Sequence, residues 1–544
     1  MGKHVVKKNT FMKNASFLMI ATLISRIIGL LYRSPLSNAV GLVGIGYYGV
    51  AYDIYAILLL ISAYSIPMAI AKVVSDRLAI KQYRNAHMIF KGALLYAAIA
   101  GGAAALFAFF GGKLVLASNQ EGAFLSLQIL GPTIFLSAIL GVLRGYFQAH
   151  NNMMPTAISQ ILEQVANAVI SIVAAILFIK TFATNEQEQA VFGAAGGALG
   201  TGAGVLMGLL FMILVYMLNK KGIDRRIAND HTRNNETLES AMKVILLMVT
   251  PIIFSTFIYS ANTALNNYLF AVLMERKDVV DKVVIALQGE YSGHYSPLIN
   301  IPLALSSATS SAMLPEIAAL HAQKQIALLN DKVHTAIRLT MFIVIPAAMG
   351  LSVLSFPIMA VLFPRSTDVS GYLLMFGSFS VIFAALSTIM NGVLQAIGKP
   401  RIPLRNAAIS LVINLVALVG LLWFTDAIGI YAILIVSVLF SLNMCILNGM
   451  ALKKYLGYQN EYMDTYIKPL LAAFGMGIVA WLVYYGLHLF LPIKIICLGL
   501  AIILGAITYI VLFVIISKTT EAELRRFPLG SYAVSFMKLI RIYK

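Results

Sequence analysis

Long apolar runs separated by short polar segments repeat along the whole 544-residue chain. A hydrocarbon core about 30 Å thick is crossed by about 20 apolar residues in a helix, and about fourteen runs qualify. Their centres fall near residues 25, 58, 99, 136, 168, 205, 256, 307, 348, 384, 413, 440, 479 and 505. The runs are continuous and rich in Leu, Ile, Ala and Gly, whereas a membrane β-barrel would show alternating segments of about ten residues. The pattern predicts an all-α polytopic membrane protein.

The polar breaks divide the chain. The most polar internal segment is "NKKGIDRRIANDHTRNNETLES", Asn219 to Ser240, between the sixth and seventh runs. Residues 1–219 then form a six-helix lobe, 220–240 a basic linker and 241–452 a second six-helix lobe. Residues 453–517 add a helix pair and 518–544 a basic tail. The ends of the fourth runs align without a gap: "RGYFQAHNNMMPTAISQILEQVANAV" from Arg144 and "NGVLQAIGKPRIPLRNAAISLVINLV" from Asn391. Gly145 matches Gly392, Gln148 matches Gln395, Ala149 matches Ala396 and Asn167 matches Asn414. Six is an even number of spans, so such repeats are parallel, with a cavity between two lobes. The tail, ending "MKLIRIYK", reads either as an amphipathic helix on the inner membrane face or as a surface-lying terminus.

Composition agrees with the pattern: 60% of residues are hydrophobic and 11% charged, with a mean hydropathy of +0.86, against roughly a quarter charged in soluble domains. The basic start "MGKHVVKKNTFMKN" precedes an apolar body too long for a secretory signal and lacking a small-residue cleavage site. It reads as a retained first span. With the N-terminus inside, most of the 40 Lys and Arg fall on inner segments, as the positive-inside rule requires. Both termini are then cytoplasmic, and the net charge of +18 reflects orientation and attraction to anionic lipid heads rather than a nucleic-acid partner.

Little in the chain points to an enzyme. No G-x-x-x-x-G-K-[ST] motif occurs, and "QAIGKPRIP" has neither its spacing nor its hydroxyl. The eight histidines are scattered without metal-ligand spacing. Cys445 and Cys497 lie within apolar runs, so neither a disulfide framework nor a thiolate cluster is expected. The outer loops are short apart from Met274 to His294, a solvated connector. No cofactor is expected.

Arg26 and Arg33 are the exception in the first span. Seven residues apart, they lie two helical turns and about 10.5 Å apart along one face, with Ser25 beside them. A mid-depth arginine facing lipid costs about 2.5–3.5 kcal/mol on insertion scales. Arg33, near Pro35 and the outer end, is placed to snorkel; Arg26 is not. One reading has Arg26 pairing with a buried acid, and the other has both arginines facing a wet cavity and neutralising an anion, since a guanidinium fork suits phosphate oxygens. Lys72, at the inner end of the second span, is a snorkelling anchor or a further ligand.

Polar stripes at helical spacing accompany them: Ser255, Tyr259, Asn262 and Asn266 in the seventh span, and Gln160, Glu163 and Asn167 in the fifth. Each is either cavity lining or interhelical hydrogen bonding. Glu163 is a candidate partner for an arginine or a proton site.

The segments "SRIIGLLYRSPL", "YSIPMAIAKVVSD" and "RGYFQAHNNMMPTAISQILEQ", within fourteen spans, resemble the polysaccharide-exporter branch of the multidrug/oligosaccharidyl-lipid/polysaccharide (MOP) exporters. Within it the chain looks most like MurJ-type lipid II flippases and the related stage V sporulation protein B. The resemblance covers essentially the whole chain. It implies a monomeric flippase in the bacterial cell membrane that moves undecaprenyl-pyrophosphate-linked peptidoglycan precursor outward by alternating access, with the cell-wall synthesis machinery as an associated partner. First-span arginines are essential in such proteins, and Arg26 and Arg33 stand at the matching positions; beside the resemblance, the residue pattern offers Ser25, Lys72, Asn262 and Asn266 as further candidate cargo contacts. Gram-negative members carry arginines in the second and eighth spans; here the second offers Lys72 and the eighth, "GHYSPLINIP", none. Ser34 replaces their acid after the outer first-span arginine.

A pyrophosphate linkage bears about two negative charges, and a negative cell interior favours their exit by roughly 2.3 kcal/mol per charge per 100 mV. A coupling ion, whether sodium, proton or chloride, stays open. Alternatives are a flippase for another lipid-linked polysaccharide, including a spore-cortex precursor, then a cation-coupled multidrug exporter, then a membrane glycosyl polymerase. An exporter of cations calls for acids in the first span, where this chain has arginines.

Overall fold

The computed structural model describes residues 21–64, 66–230, 232, 236–425, 428–525 and 530–539. The basic start lies outside them. The chain forms two compact units, Met1–Gly293 and His294–Lys544.

The first unit runs through α1 (Ala21–Leu31), α2 (Arg33–Leu59), α3 (Ile66–Ala79), α4 (Tyr83–Leu106), α5 (Phe124–Ala149), α6 (Met154–Phe182), α7 (Glu186–Ala228), α8 (Leu238–Glu275) and α9 (Asp281–Gln288). Pro35 has no N–H to give to the carbonyl of Leu31, and the helix is interrupted at Tyr32 before Leu36 N bonds Tyr32 O at 3.1 Å. The real reversal is inside α2, at Gly41, whose φ of 73° and ψ of 176° suit only a residue without Cβ. Residues after Gly41 continue through a π-helical turn, Leu60–Tyr64, into α3.

Small residues set the α6–α7 contact. A Cβ on Gly196 would strike the Ala175 backbone, one on Gly200 would strike Ser171, and one on Gly204 would lie 2.5 Å from the Glu163 carbonyl oxygen. This four-residue spacing of glycines is the close-packing device of membrane helices, where apolar burial gives no drive between helices and contact must come from shape.

The polar residues before α8 are tied to the adjoining ends of α3 and α4. Arg77 Nε donates to Glu236 at 2.7 Å, Glu236 N donates to the Asn85 side chain at 2.8 Å, and Arg84 N donates to Asp230 at 2.6 Å. Ala241 and Ile245 of α8 are fully buried with Ala86, Ile89 and Ala93 of α4. At the other end of α8, Ser118 Oγ reaches Glu275 at 2.6 Å and Asn119 donates to the Ala271 carbonyl at 3.0 Å. The helix after the linker is thus part of this unit.

The second unit comprises α10 (Ser296–Ala322), α11 (Ile326–Val353), α12 (Ser355–Leu362), α13 (Asp368–Gly377), α14 (Ser380–Ala396), α15 (Arg401–Phe424), α16 (Tyr431–Leu456), α17 (Lys468–His488), α18 (Lys494–Ser517), α19 (Glu521–Leu524) and α20 (Gly530–Leu539). Val333, Ile337, Met341, Val381, Ala385, Ile389 and Phe513 form its core. Leu524, Val534 and Met537 join that core, so this part of the basic tail packs on its own unit. Glu521 secures it through Arg525 at 2.7 Å and Lys538 at 3.0 Å; these cations hold the Glu521 carboxyl below its usual pKa.

Gly145 and Gly392, matched in sequence, each lie against a neighbouring helix. A Cβ on Gly145 of α5 would fall 2.7 Å from Pro67 O of α3, and one on Gly392 of α14 would meet Ser310 of α10. Each glycine lets one helix approach another closely.

Among the described residues ten helices are long and apolar enough to cross a membrane, or eleven if the pair Asp368–Gly377 and Ser380–Ala396, bent by 46°, is one span. The chain is therefore an all-α multi-pass membrane protein. Fewer spans are counted than the fourteen expected partly because Ala21–Leu31 is short by itself and Arg33–Ala79 forms a single 47-residue stretch. The helices α8 and α10, of 38 and 27 residues, contain the centres expected near 256 and 307.

Candidate functional site

Arg33 opens α2, half-buried. Its guanidinium donates from Nη1 to the Ser292 carbonyl at 3.3 Å and lies 5.9 Å from the Tyr52 ring centroid. One α-helical stretch beyond the Gly41 reversal brings Asp53 back to the same place. Asp53 accepts from Asn267 Nδ2 at 2.6 Å and from the Ser292 side chain, and lies within reach of the Arg33 charge. Asn267 Nδ2 also reaches Ser292 Oγ at 3.2 Å. Arg33, Tyr52, Asp53 and Ser292 are all half-buried, whereas Asn267 behind them is buried.

A neutral network flanks the charged one. Tyr32 OH and Tyr48 OH lie 3.4 Å apart, Tyr48 OH is 3.1 Å from Thr201 Oγ1, and Asn167 Nδ2 donates to Tyr32 OH at 3.4 Å. Ser171 in turn donates to Asn167 at 2.7 Å. Thr22 of α1 donates to Gln160 at 3.1 Å. In the fifth-span stripe Gln160 and Asn167 therefore bind α1 and Tyr32, as interhelical hydrogen bonds do.

Arg26 is exposed on α1 and Ser25 is buried beside it. Lys72 is exposed on α3. Glu163 pairs with Arg144 at 2.7 Å, and Arg144 also donates to Ser159 at 2.9 Å. Asn262 and Asn266 are buried in α8, close in sequence to Asn267. The Ser255 and Tyr259 side chains lie outside the described ones. Of the expected residues, Arg33 enters the charged cluster, while Arg26, Lys72 and the Glu163 pair stand apart from its described contacts.

Asp53, Ser292, Asn267 and Arg144 were not singled out from sequence. Asp53 sits in "YGVAYDIYAILL", a lone acid in an otherwise apolar and aromatic run, and intramembrane acids are costly unless they have partners. That signal was present. Ser292 carried none, since a serine in a polar loop is ordinary.

A guanidinium has five N–H donors, so contact with one carbonyl leaves capacity for a bidentate anion. Nothing in the cluster resembles a metal centre: among the described residues no three His, Cys, Asp or Glu side chains are grouped to hold an ion. Cys445 and Cys497 are buried free thiols.

The family model described as "Polysaccharide biosynthesis protein" matches residues 11–321. The chain is 24% identical over 498 residues to the lipid II flippase MurJ of Bacillus subtilis (strain 168), covering 87% of this chain and 88% of that protein. Its fold is similar to a solved lipid II flippase MurJ in an inward closed conformation: TM-score 0.64, 14% identity, 92% of this chain and 98% of the other covered. An inward-facing multidrug resistance MATE family transporter of the MOP superfamily gives a TM-score of 0.63 at 14% identity, with 79% and 94% covered.

Proposed function

Because the chain belongs to the polysaccharide biosynthesis protein family, within the MOP superfamily of MurJ-like exporters, we propose that this multi-pass transporter is a lipid II flippase. It carries undecaprenyl-pyrophosphate-linked disaccharide pentapeptide from the inner to the outer leaflet. The observation that carries this reading is Arg33: a guanidinium at the start of an apolar, span-length helical stretch, half-buried against Ser292 and Tyr52 with donors left over for an anion. Such a group is retained where an anion must be met.

In this reading the chain makes fourteen spans in two six-helix lobes with both termini cytoplasmic, and the close helix contacts at the sequence-matched Gly145 and Gly392 support the repeat. Arg33 and Arg26 engage the diphosphate, while Ser25, Lys72, Asn262 and Asn266 contribute to the head-group path. Glu163 holds Arg144 in place. The polyprenyl tail stays in lipid, so only the polar head must pass between helices. Two phosphate charges leaving a negative interior are driven by about 4.6 kcal/mol at 100 mV for full transit, enough to bias export.

The two structural likenesses have nearly equal TM-scores, so fold alone does not separate lipid-linked cargo from drug. Asp53 gives the cation-exporter reading a foothold, because an acid within a spanning segment is what a cationic substrate requires. Arg33 opposes it, since Asp53 is already met by that charge and by Asn267. Depletion of the protein, followed by analysis of polyprenyl-linked intermediates, tests the proposal. Lipid II accumulating on the inner leaflet supports it, a different lipid-linked glycan redirects the cargo, and accumulation on the outer leaflet contradicts a flippase.

A further inference from the structure

Asp53 has no place in the cargo path just described, yet it is fixed beside the group that binds cargo. Its carboxylate is held by Asn267 Nδ2 at 2.6 Å and by Ser292, the residue whose carbonyl receives Arg33 at 3.3 Å. Asn267 is itself immobilised. Its carbonyl accepts from Gln288 Nε2 at 2.7 Å, Gln288 accepts from Gln120 Nε2 at 3.1 Å, and its side chain bridges to Ser292 at 3.2 Å. Four segments of the first unit, carrying Gln120, Asn267, Gln288 and Ser292, thus hold one carboxylate still.

A rigid acid next to a half-buried guanidinium lowers the attraction of that guanidinium for any further anion. A transporter needs such restraint, because a site must bind well enough to load and weakly enough to unload. We infer that Asp53 is a resident counter-ion that weakens cargo binding at Arg33 and so permits release. The inference rests on the flippase reading and adds a residue to it. Asp53 acts through Arg33 and is a positioning residue, not a cargo contact.

A role in stability alone would make Asp53→Asn weaken both binding and transport. The counter-ion role predicts effects of opposite sign. With the purified full chain in lipid nanodiscs and undecaprenyl diphosphate as probe, Asp53→Asn binds about tenfold more tightly than the unaltered protein, the size of effect one neighbouring charge has on another. In proteoliposomes the same variant flips more slowly. Asn at this position still accepts from Asn267, and Asp53→Ser serves as a second variant should Asn not fold. In an Arg33→Gln background, Asp53→Asn leaves affinity unchanged, because there is no guanidinium left to offset. Equal or weaker binding by Asp53→Asn, or the same gain in both backgrounds, overturns the inference while Arg33→Gln still weakens binding. Failure of the unaltered protein to bind the diphosphate, with Arg33→Gln indistinguishable from it, overturns the flippase reading as well.

Discussion

Arg144 and Glu163 pair at 2.7 Å between α5 and α6, with side chains only 15% and 20% exposed. In the ungapped alignment of the two halves they stand opposite Asn391 and Ser410, and Ser159, which also binds Arg144, stands opposite Asn406. The second unit replaces the ion pair with amides: Asn448 of α16 donates to Asn391 at 2.7 Å and accepts from Asn406 at 2.9 Å. In the first unit Arg144 passes close to Gly208 of α7 instead, 3.5 Å from where a Cβ would lie. The residues aligned with Arg144 and Ser159 are therefore linked by neutral hydrogen bonds, where the first segment uses charge.

Breaking that pair on one side leaves a largely buried charge without its partner, at a cost of about 3–5 kcal/mol when burial is complete. With the exposure remaining here, Glu163→Ala is expected to cost about 2–4 kcal/mol. The double replacement Arg144→Met with Glu163→Leu recovers most of the loss, since it removes both charges. Both cysteines are buried, so a thiol-reactive dye reports unfolding directly, and its midpoint temperature checks the order of the three proteins.

Glycines within α7 give a contrast independent of charge. Gly200→Leu drives a side chain into the backbone of Ser171, whereas Gly222 has no atom within 4 Å of its would-be Cβ. The first substitution is expected to abolish recovery of folded protein in detergent. Gly222→Ala is neutral or stabilising by up to about 1 kcal/mol, the helix-propensity gain. Size-exclusion profiles and the same dye distinguish them.

How much of this was legible in the chain depends on what local pattern encodes. Every predicted span centre lies in a helix, because long apolar runs determine helices without reference to partners. Arg33 was legible because an arginine in an apolar run is costly anywhere. The partner of Glu163 was not, since an ion pair between helices depends on rotation and depth that periodicity does not set. Asp53 was visible as a lone acid in an apolar run, but its nearness to Arg33 was hidden by the break at Gly41, which brings residues twenty positions apart together. The adherence of α8 to the first unit was equally invisible, because the basic linker marks a break in polarity and not a break in packing.

The linker contacts predict a local effect. Glu236 takes both Arg77 Nε at 2.7 Å and Nη2 at 2.5 Å, with partial exposure that keeps the pair near 1 kcal/mol in worth. Glu236→Ala is expected to leave the unfolding midpoint nearly unchanged while raising the rate of proteolytic cleavage between Ala228 and Leu238 severalfold. An unchanged cleavage rate would show that Asp230 and Asn85 suffice to hold the segment.

Cargo charge predicts a voltage response. In proteoliposomes carrying a potassium-diffusion potential, export of lipid II rises when the cargo-donating side is negative and falls when the potential is dissipated. A rate indifferent to potential would require another energy source and would remove the electrostatic argument for direction.

The central claim, that Arg33 meets an anionic head group, is tested most directly by following fluorescent lipid II across proteoliposome membranes with the unaltered protein, Arg33→Lys and Arg33→Gln at equal folded content. The account predicts full flipping, partial flipping and a loss of at least about tenfold, in that order, as expected when a fork, a point charge and a neutral group face phosphate. Flipping by Arg33→Gln at the rate of the unaltered protein would contradict it.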